Sequence, residues 1–304
     1  MIKVMAHRRY SPVRMQSLKR NKIEVMNRDF YLYKQRLSLL YLWVVPIVTA
    51  VIGFGIGHVS YKLYLPLWGL NSCLMILASY HLGAQKLWYG NKDGRQCAVT
   101  ALLLCTPWLL FPVFAGMGPP PVTIAGWLNT AAEQQTRYTI LIGGGVSALS
   151  GTALLKVQLQ ARGETFYSAL AFAALSIAIP LFIFNMAFWG YYLTAAFRSF
   201  ASHAASERPD WYLPVKSLFY VISVVEVILI YLGAILFAAS LKITGVISKT
   251  AFRWYLVCGL FAILLVLVPS SWPQPLATAG YIVSIPAIPF VMYYLIGLRL
   301  LKSA

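Results

Sequence analysis

"SLFYVISVVEVILIYLGAILFAASL", residues 217–241, contains one charged side chain, Glu226, in 25 residues. A helix of that length reaches about 37 Å, more than the roughly 30 Å hydrocarbon core of a bilayer. Runs of the same kind recur along the chain at 38–58, 63–83, 97–117, 138–156, 168–197, 254–272 and 277–299. The expected fold is therefore all-α: a polytopic transmembrane helical bundle of about eight spans.

Composition agrees with that reading. Of 304 residues, 60% are hydrophobic and 11% charged, where an ordinary soluble domain carries about 25% charge. The apolar residues come in long blocks, whereas a membrane β-barrel shows segments of about ten residues that alternate in polarity. The chain divides into a basic tail, 1–37, and an eight-span domain, 38–304. No segment outside the spans is long enough for a soluble domain.

The formal charge of +17 does not point to nucleic acid, because of where it sits. Ten of the 25 Lys and Arg residues fall within 1–36, and most of the others lie in short connections. With both termini cytoplasmic, 20 basic residues lie inside and 5 outside, as topology signals should. The five outside are Lys62, Arg137, Arg198, Arg208 and Lys216. The expected location is the bacterial inner (plasma) membrane. An organelle membrane stays open, because residues 1–22 are Arg-rich and free of acids. The lipid bilayer is the first partner. The tail suits anionic lipid or an acidic cytosolic protein, at about 1 kcal/mol per basic residue near a membrane surface.

Glu226 lies nine residues into its run, roughly 14 Å deep at 1.5 Å per residue. An acid there is costly unless it faces protein or water, or takes up a proton. Ser223, Gly233 and Ser240 share its side of the helix, and small or hydroxyl residues on one stripe mark a helix contact. Two amides match its depth: Asn185 in "FIFNMAFWGYY" and Asn71 in "LWGLNSC". The candidate intramembrane site is thus Glu226, Asn185, Asn71 and Ser223, with Asn185 the nearest expected partner of Glu226. It reads as a proton or cation position, as the polar anchor of a ligand pocket, or as a structural interhelical bond.

Other features read as architecture. Gly143, Ser147 and Gly151 recur at every fourth residue and suit close helix packing. Pro107, Pro112, Pro180, Pro286 and Pro289 interrupt spans three, five and eight. A doubly interrupted span such as the eighth suits a cavity wall, because non-helical backbone at that depth needs cover. Trp211 and Tyr212 suit a headgroup anchor. Cys73, Cys97, Cys105 and Cys258 form no C-x-x-C pair and read as packing residues. No metal site is expected. His58 and His81 fall at opposite membrane faces, so only His58 and His203 share a side. No hydrolase elbow, H-E-x-x-H or phosphate loop is present.

"YHLGAQKLW", 80–88, resembles the segment after the second span in the quinol-side membrane anchors of polysulfide and DMSO reductases. The resemblance covers nine residues, and nothing else in the chain follows that pattern. Three functions then compete, with the cofactor unknown in each. The first is a non-enzymatic membrane component that binds a partner protein or a small apolar ligand. The second is a proton-coupled transporter using Glu226. The third is a quinone-facing anchor of a redox complex, which a haem or flavin absorption band would favour.

Overall fold

A computed structural model describes residues 12–201, 212–269 and 272–303, with side chains from Phe30 onward. Among these residues all regular structure is helical. The first half comprises α1 (Pro12–Gly55), α2 (Tyr61–Ser79), α3 (Lys86–Tyr89), α4 (Lys92–Leu110), α5 (Phe114–Met117) and α6 (Ile124–Asn129). The second comprises α7 (Ala131–Ala161), α8 (Phe166–Ala187), α9 (Leu193–Phe200), α10 (Tyr212–Ile243), α11 (Lys249–Val266), α12 (Gln274–Ser284) and α13 (Phe290–Ser303). Part of the basic tail, residues 1–11, lies outside the described residues.

Seven segments are long and apolar enough to cross a membrane. They are Phe30–Gly55, Tyr61–Ala84, Lys92–Met117, Ala131–Ala161, Phe166–Phe200, Tyr212–Ile243 and Lys249–Val266. The chain is a multi-pass membrane protein. The region expected as an eighth span is instead two short helices, α12 of 11 residues and α13 of 14. Pro286 and Pro289 supply no amide hydrogen to a helical ladder, and the backbone turns between them. Neither piece alone spans about 30 Å at 1.5 Å per residue.

Local chemistry sets the ends of several helices. Asn91 caps α4 by accepting from Gly94 N at 2.9 Å. Ser248 caps α11 by accepting from Ala251 N at 3.1 Å. Each satisfies an amide that the helix itself leaves without a partner. Within long segments, π-type turns occupy Tyr80–Ala84 and Phe188–Tyr192. Such a turn inserts a residue and re-aims the side chains beyond it.

α8 and α10 form the central antiparallel pair. α7 packs between α8 and α4, and α13 lies against α4. Trp108, Phe111, Phe182 and Phe290 interlock edge to face at the middle, with centroids 5.2–6.1 Å apart. α1, α2 and α11 lie at the periphery. α11 turns Trp254, Val257, Leu260, Phe261 and Leu264 outward, as a lipid-facing helix does.

The small-residue stripe of α7 is rotated from its expected position. Gly143 faces outward, with open space where a Cβ would stand. The close packing falls on Gly144, Gly145 and Gly151, where a Cβ would come within about 3 Å of Phe111, Phe182 and Leu104. Ser147 joins that face by donating to Leu103 O at 2.9 Å. Spacing alone left the stripe's centre undetermined, because three consecutive glycines offer three registers. At the C-terminus, Gly83 takes Leu301 so closely that a Cβ would lie 1.9 Å from its carbonyl oxygen.

Candidate binding cavity

Residues 226, 233 and 240 of α10 recur every seven positions, as do 164, 171, 178 and 185 in and before α8. That spacing keeps one stripe turned toward a partner crossing at a shallow angle. Ala171, Ala178 and Gly233 let the helices approach. A Cβ at Gly233 would stand 2.8 Å from Tyr293 Oη and 3.1 Å from Leu175 Cγ.

Within this seam Asn185 Nδ2 donates to Glu226 Oε1 at 2.9 Å, and both residues are fully buried. Glu226 Oε2 and Asn185 Oδ1 have no partner among the described residues. Both are acceptors. One proton on the carboxyl would add a donor to this pair, since an acid and an amide can exchange two hydrogen bonds. The pair can therefore hold a proton.

Asn71 does not join them. Its Oδ1 accepts from Tyr41 Oη at 2.7 Å, and its Nδ2 lies 3.4 Å from Met75 Sδ. Depth along the membrane normal matched Asn71 to Glu226. Its place around the bundle, on a peripheral helix, separates them. Ser223, one turn from Glu226, lies on the wall of a cavity together with Asn185.

That cavity measures about 430 Å³, within the usual range for small-molecule sites. Its walls come from α1, α4, α7, α8, α10 and the break between α12 and α13. Trp108, Phe111, Trp127, Tyr138 and Trp189 make it aromatic. Ile285, Pro286, Ala287 and Ile288 line it with the interrupted backbone, so the doubly broken segment does form a cavity wall. Phe54, Tyr220 and Tyr281 also line it and are each more than half exposed. They mark a mouth of the cavity on the protein surface.

Arg137 is the cation of this cavity and lies within a helix, not in the external connection where the charge distribution puts it. α7 begins six residues earlier, at Ala131, and buries Arg137 to 7% exposure. Its Nη2 donates to the carbonyls of Met117 at 3.2 Å and Gly118 at 2.7 Å. Its Nε is buried with no partner among the described residues. The nearest acid in sequence, Glu133, is occupied by His58 at 2.9 Å. The signal for Arg137 was present in the chain. Gln134, Arg137, Tyr138, Leu141, Gly144, Gly145 and Ala148 follow one helical stripe, which begins before the apolar run does.

The carbonyls that hold Arg137 depend on a tight turn. Gly118 has φ 61°, and a Cβ there would lie 2.6 Å from Gly57 C and His58 N. Val59 N donates to Gly116 O at 2.9 Å, which fixes the 57–59 connection over the end of α5. On the other side, the π turn at Phe188–Tyr192 lets Gly190 sit against Tyr138, with 2.6 Å from a would-be Cβ to Tyr138 Cβ. Trp127 completes this end by donating to Thr194 Oγ1 at 2.9 Å and stacking on Tyr138.

The opposite end of the α8–α10 seam is tied by a second acid. Glu164 accepts from Tyr167 N at 2.7 Å and Ser168 N at 3.1 Å, at the start of α8. Ser240 Oγ also donates to it. Burial pushes the Glu164 carboxyl upward, but the bonds from Ser240 and the two amides outweigh burial and hold it below its ordinary value. Anions at helix N-termini are favoured in the same way.

The remaining expectations concern other groups. Cys97 and Cys105 are buried against the carbonyls of Leu300 and Tyr294, and Cys73 and Cys258 are exposed; all four are free. Tyr212 packs on Phe200 and is buried, so it does not act as an exposed headgroup anchor. Trp211 and His203 lie outside the described residues. Among the described residues no three His, Cys, Asp or Glu side chains gather as a metal site. Comparison of the chain with protein-family models, curated proteins and solved structures finds no match.

Proposed function

We propose that this is a non-enzymatic membrane protein that binds a small apolar or amphiphilic ligand, admitted from the bilayer through the mouth of the cavity. One observation carries the reading: an aromatic cavity of about 430 Å³ whose wall holds few polar side chains, among them Arg137, Asn185 and Ser223. Apolar walls with few convergent polar groups suit ligand binding. The orientation proposed with it puts both termini in the cytoplasm, with α12 and α13 together forming an eighth, broken crossing. The distribution of Lys and Arg supports that orientation. The basic tail would then face anionic lipid or an acidic cytosolic partner.

The test is native mass spectrometry of the full chain released from nanodiscs, beside Ala50→Phe, which fills the cavity from α1. A small apolar molecule retained by the wild type and lost from the variant is the expected result. Equal retention by both would sink the reading.

The unpartnered Glu226 Oε2 and Asn185 Oδ1 favour a second reading, in which ligand movement is coupled to proton uptake at this pair. Infrared difference spectra of wild type against Glu226→Gln in bilayers test it. A carboxyl band that appears and disappears between about pH 5 and 8 supports coupling. A band constant across that range makes the pair structural.

A further inference from the structure

We infer that the cavity ligand is an acidic amphiphile whose oxyanion pairs with Arg137 while its hydrocarbon chain lies along the aromatic walls. This rests on the binding reading above and narrows its ligand class. Three observations carry it together.

First, Arg137 is a buried cation with no carboxylate partner among the described residues. Two backbone carbonyls hold one nitrogen, and they position the guanidinium without neutralising it. A buried charge with no carboxylate in contact is costly, and a guanidinium is shaped to receive a carboxylate or phosphate. Its Nε is a buried donor that lacks an acceptor. Glu133, one turn away, is in contact with His58 and acts on Arg137 only at a distance.

Second, Arg137 is the charged side chain in a lining that is otherwise neutral and mostly apolar or aromatic. Tyr138 beside Arg137 packs on Gly190, and Asn185 lies five residues further along that segment, roughly 7 Å deeper. The rest of the lining is chiefly aromatic and aliphatic, with Trp108, Phe111, Met186, Trp189 and Ile288. A head that is charged and a chain that is not match one cation in such a wall.

Third, Phe54, Tyr220 and Tyr281 flank the mouth, each more than half exposed, and Phe54 and Tyr220 belong to segments long and apolar enough to cross a membrane. A molecule already dissolved in the bilayer needs no aqueous path to reach it. The same oxyanion chemistry arises in a free fatty acid and in an acidic phospholipid, and the two differ in their chains and headgroup.

The experiment uses the full chain in nanodiscs of zwitterionic lipid and reads quenching of tryptophan fluorescence, since Trp108, Trp127 and Trp189 all line the cavity. The probes are dibromostearic acid, the matching dibrominated alcohol, and a brominated phosphatidate. Saturable quenching at least about tenfold tighter for an acid than for the alcohol is expected, as for a hydrogen bond to a charged group. Preference for the single-chain acid assigns the site to a fatty acid. Preference for the phosphatidate assigns it to a lipid headgroup. Arg137→Met should abolish the preference, and Arg137→Lys should keep most of it. If the alcohol binds as tightly as both acids, or Arg137→Met retains the preference, the inference falls. The wild-type comparison decides the matter even if Arg137→Met does not fold. Saturable binding of the alcohol that Ala50→Phe blocks would leave the cavity reading intact while the acid preference fails. Saturable binding of none of the three would overturn both.

Discussion

Asn185 donates to Glu226 across the α8–α10 seam at 2.9 Å, in a pair 41 residues apart in the chain and sealed from solvent. Each partner keeps one buried oxygen without a donor among the described residues. The bond therefore does more than join two helices. It leaves capacity for one proton beside a cavity that Asn185 itself lines.

Removing one partner should separate these roles. Glu226→Gln supplies an amide hydrogen where the carboxyl had an unsatisfied oxygen, so unfolding in mixed micelles should shift by less than about 1 kcal/mol, on the scale of measured membrane hydrogen bonds. Asn185→Leu strips the carboxyl of its donor and should cost about 1–3 kcal/mol, the penalty for an orphaned buried polar group. Equal costs for the two substitutions would mean that the bond contributes only packing.

Glu164 should give the fold a pH dependence at the acidic end. Its folded carboxyl sits below the ordinary value, held there by Ser240 and the Tyr167 and Ser168 amides against the opposing effect of burial. Its stabilisation is thus fully present above the unfolded value and is lost as pH falls through the folded one. Thermal unfolding of Glu164→Gln should show a deficit at pH 7 that narrows below about pH 4, where the wild-type acid also takes up its proton. A deficit independent of pH would remove charge from the explanation.

Two glycines hold backbone approaches that no side chain can share. Gly118→Ala places a methyl group 2.6 Å from the 57–58 backbone at a φ of 61°, and Gly83→Ala places one 1.9 Å from Leu301 O. Each should cost about 1–3 kcal/mol, as overpacking does. Gly118→Ala should also weaken ligand retention, because the Gly118 carbonyl positions Arg137. Wild-type retention in a folded Gly118→Ala protein would detach that turn from the cavity.

The rotation of the α7 stripe has its own test. Gly143→Leu faces open space and should leave stability within about 0.5 kcal/mol. Gly151→Leu meets Leu104 and Leu103 and should cost several times as much, read as loss of folded protein in detergent on heating. Comparable losses at both sites would put the α4–α7 contact elsewhere.

The material of this protein and one of its polar pairs can be read from the chain alone. Long apolar blocks dictate membrane helices, because the bilayer leaves the backbone no other way to satisfy its own hydrogen bonds. Glu226 stands out in such a block, and a carboxyl there must find a partner; Asn185 at matching depth was legible for the same reason. The proline pair at 286 and 289 also signalled a cavity wall. What tertiary structure decided was azimuth. Depth can be counted along the chain, but the direction a residue faces around the bundle depends on helix rotation, on one-residue π turns and on which helices are neighbours. Hence Asn71 bonds to Tyr41 instead of Glu226, and the packed stripe of α7 falls on Gly144 instead of Gly143. Arg137 lies inside the bundle because α7 starts before its apolar run, so a residue read as a loop charge becomes the cation of the cavity.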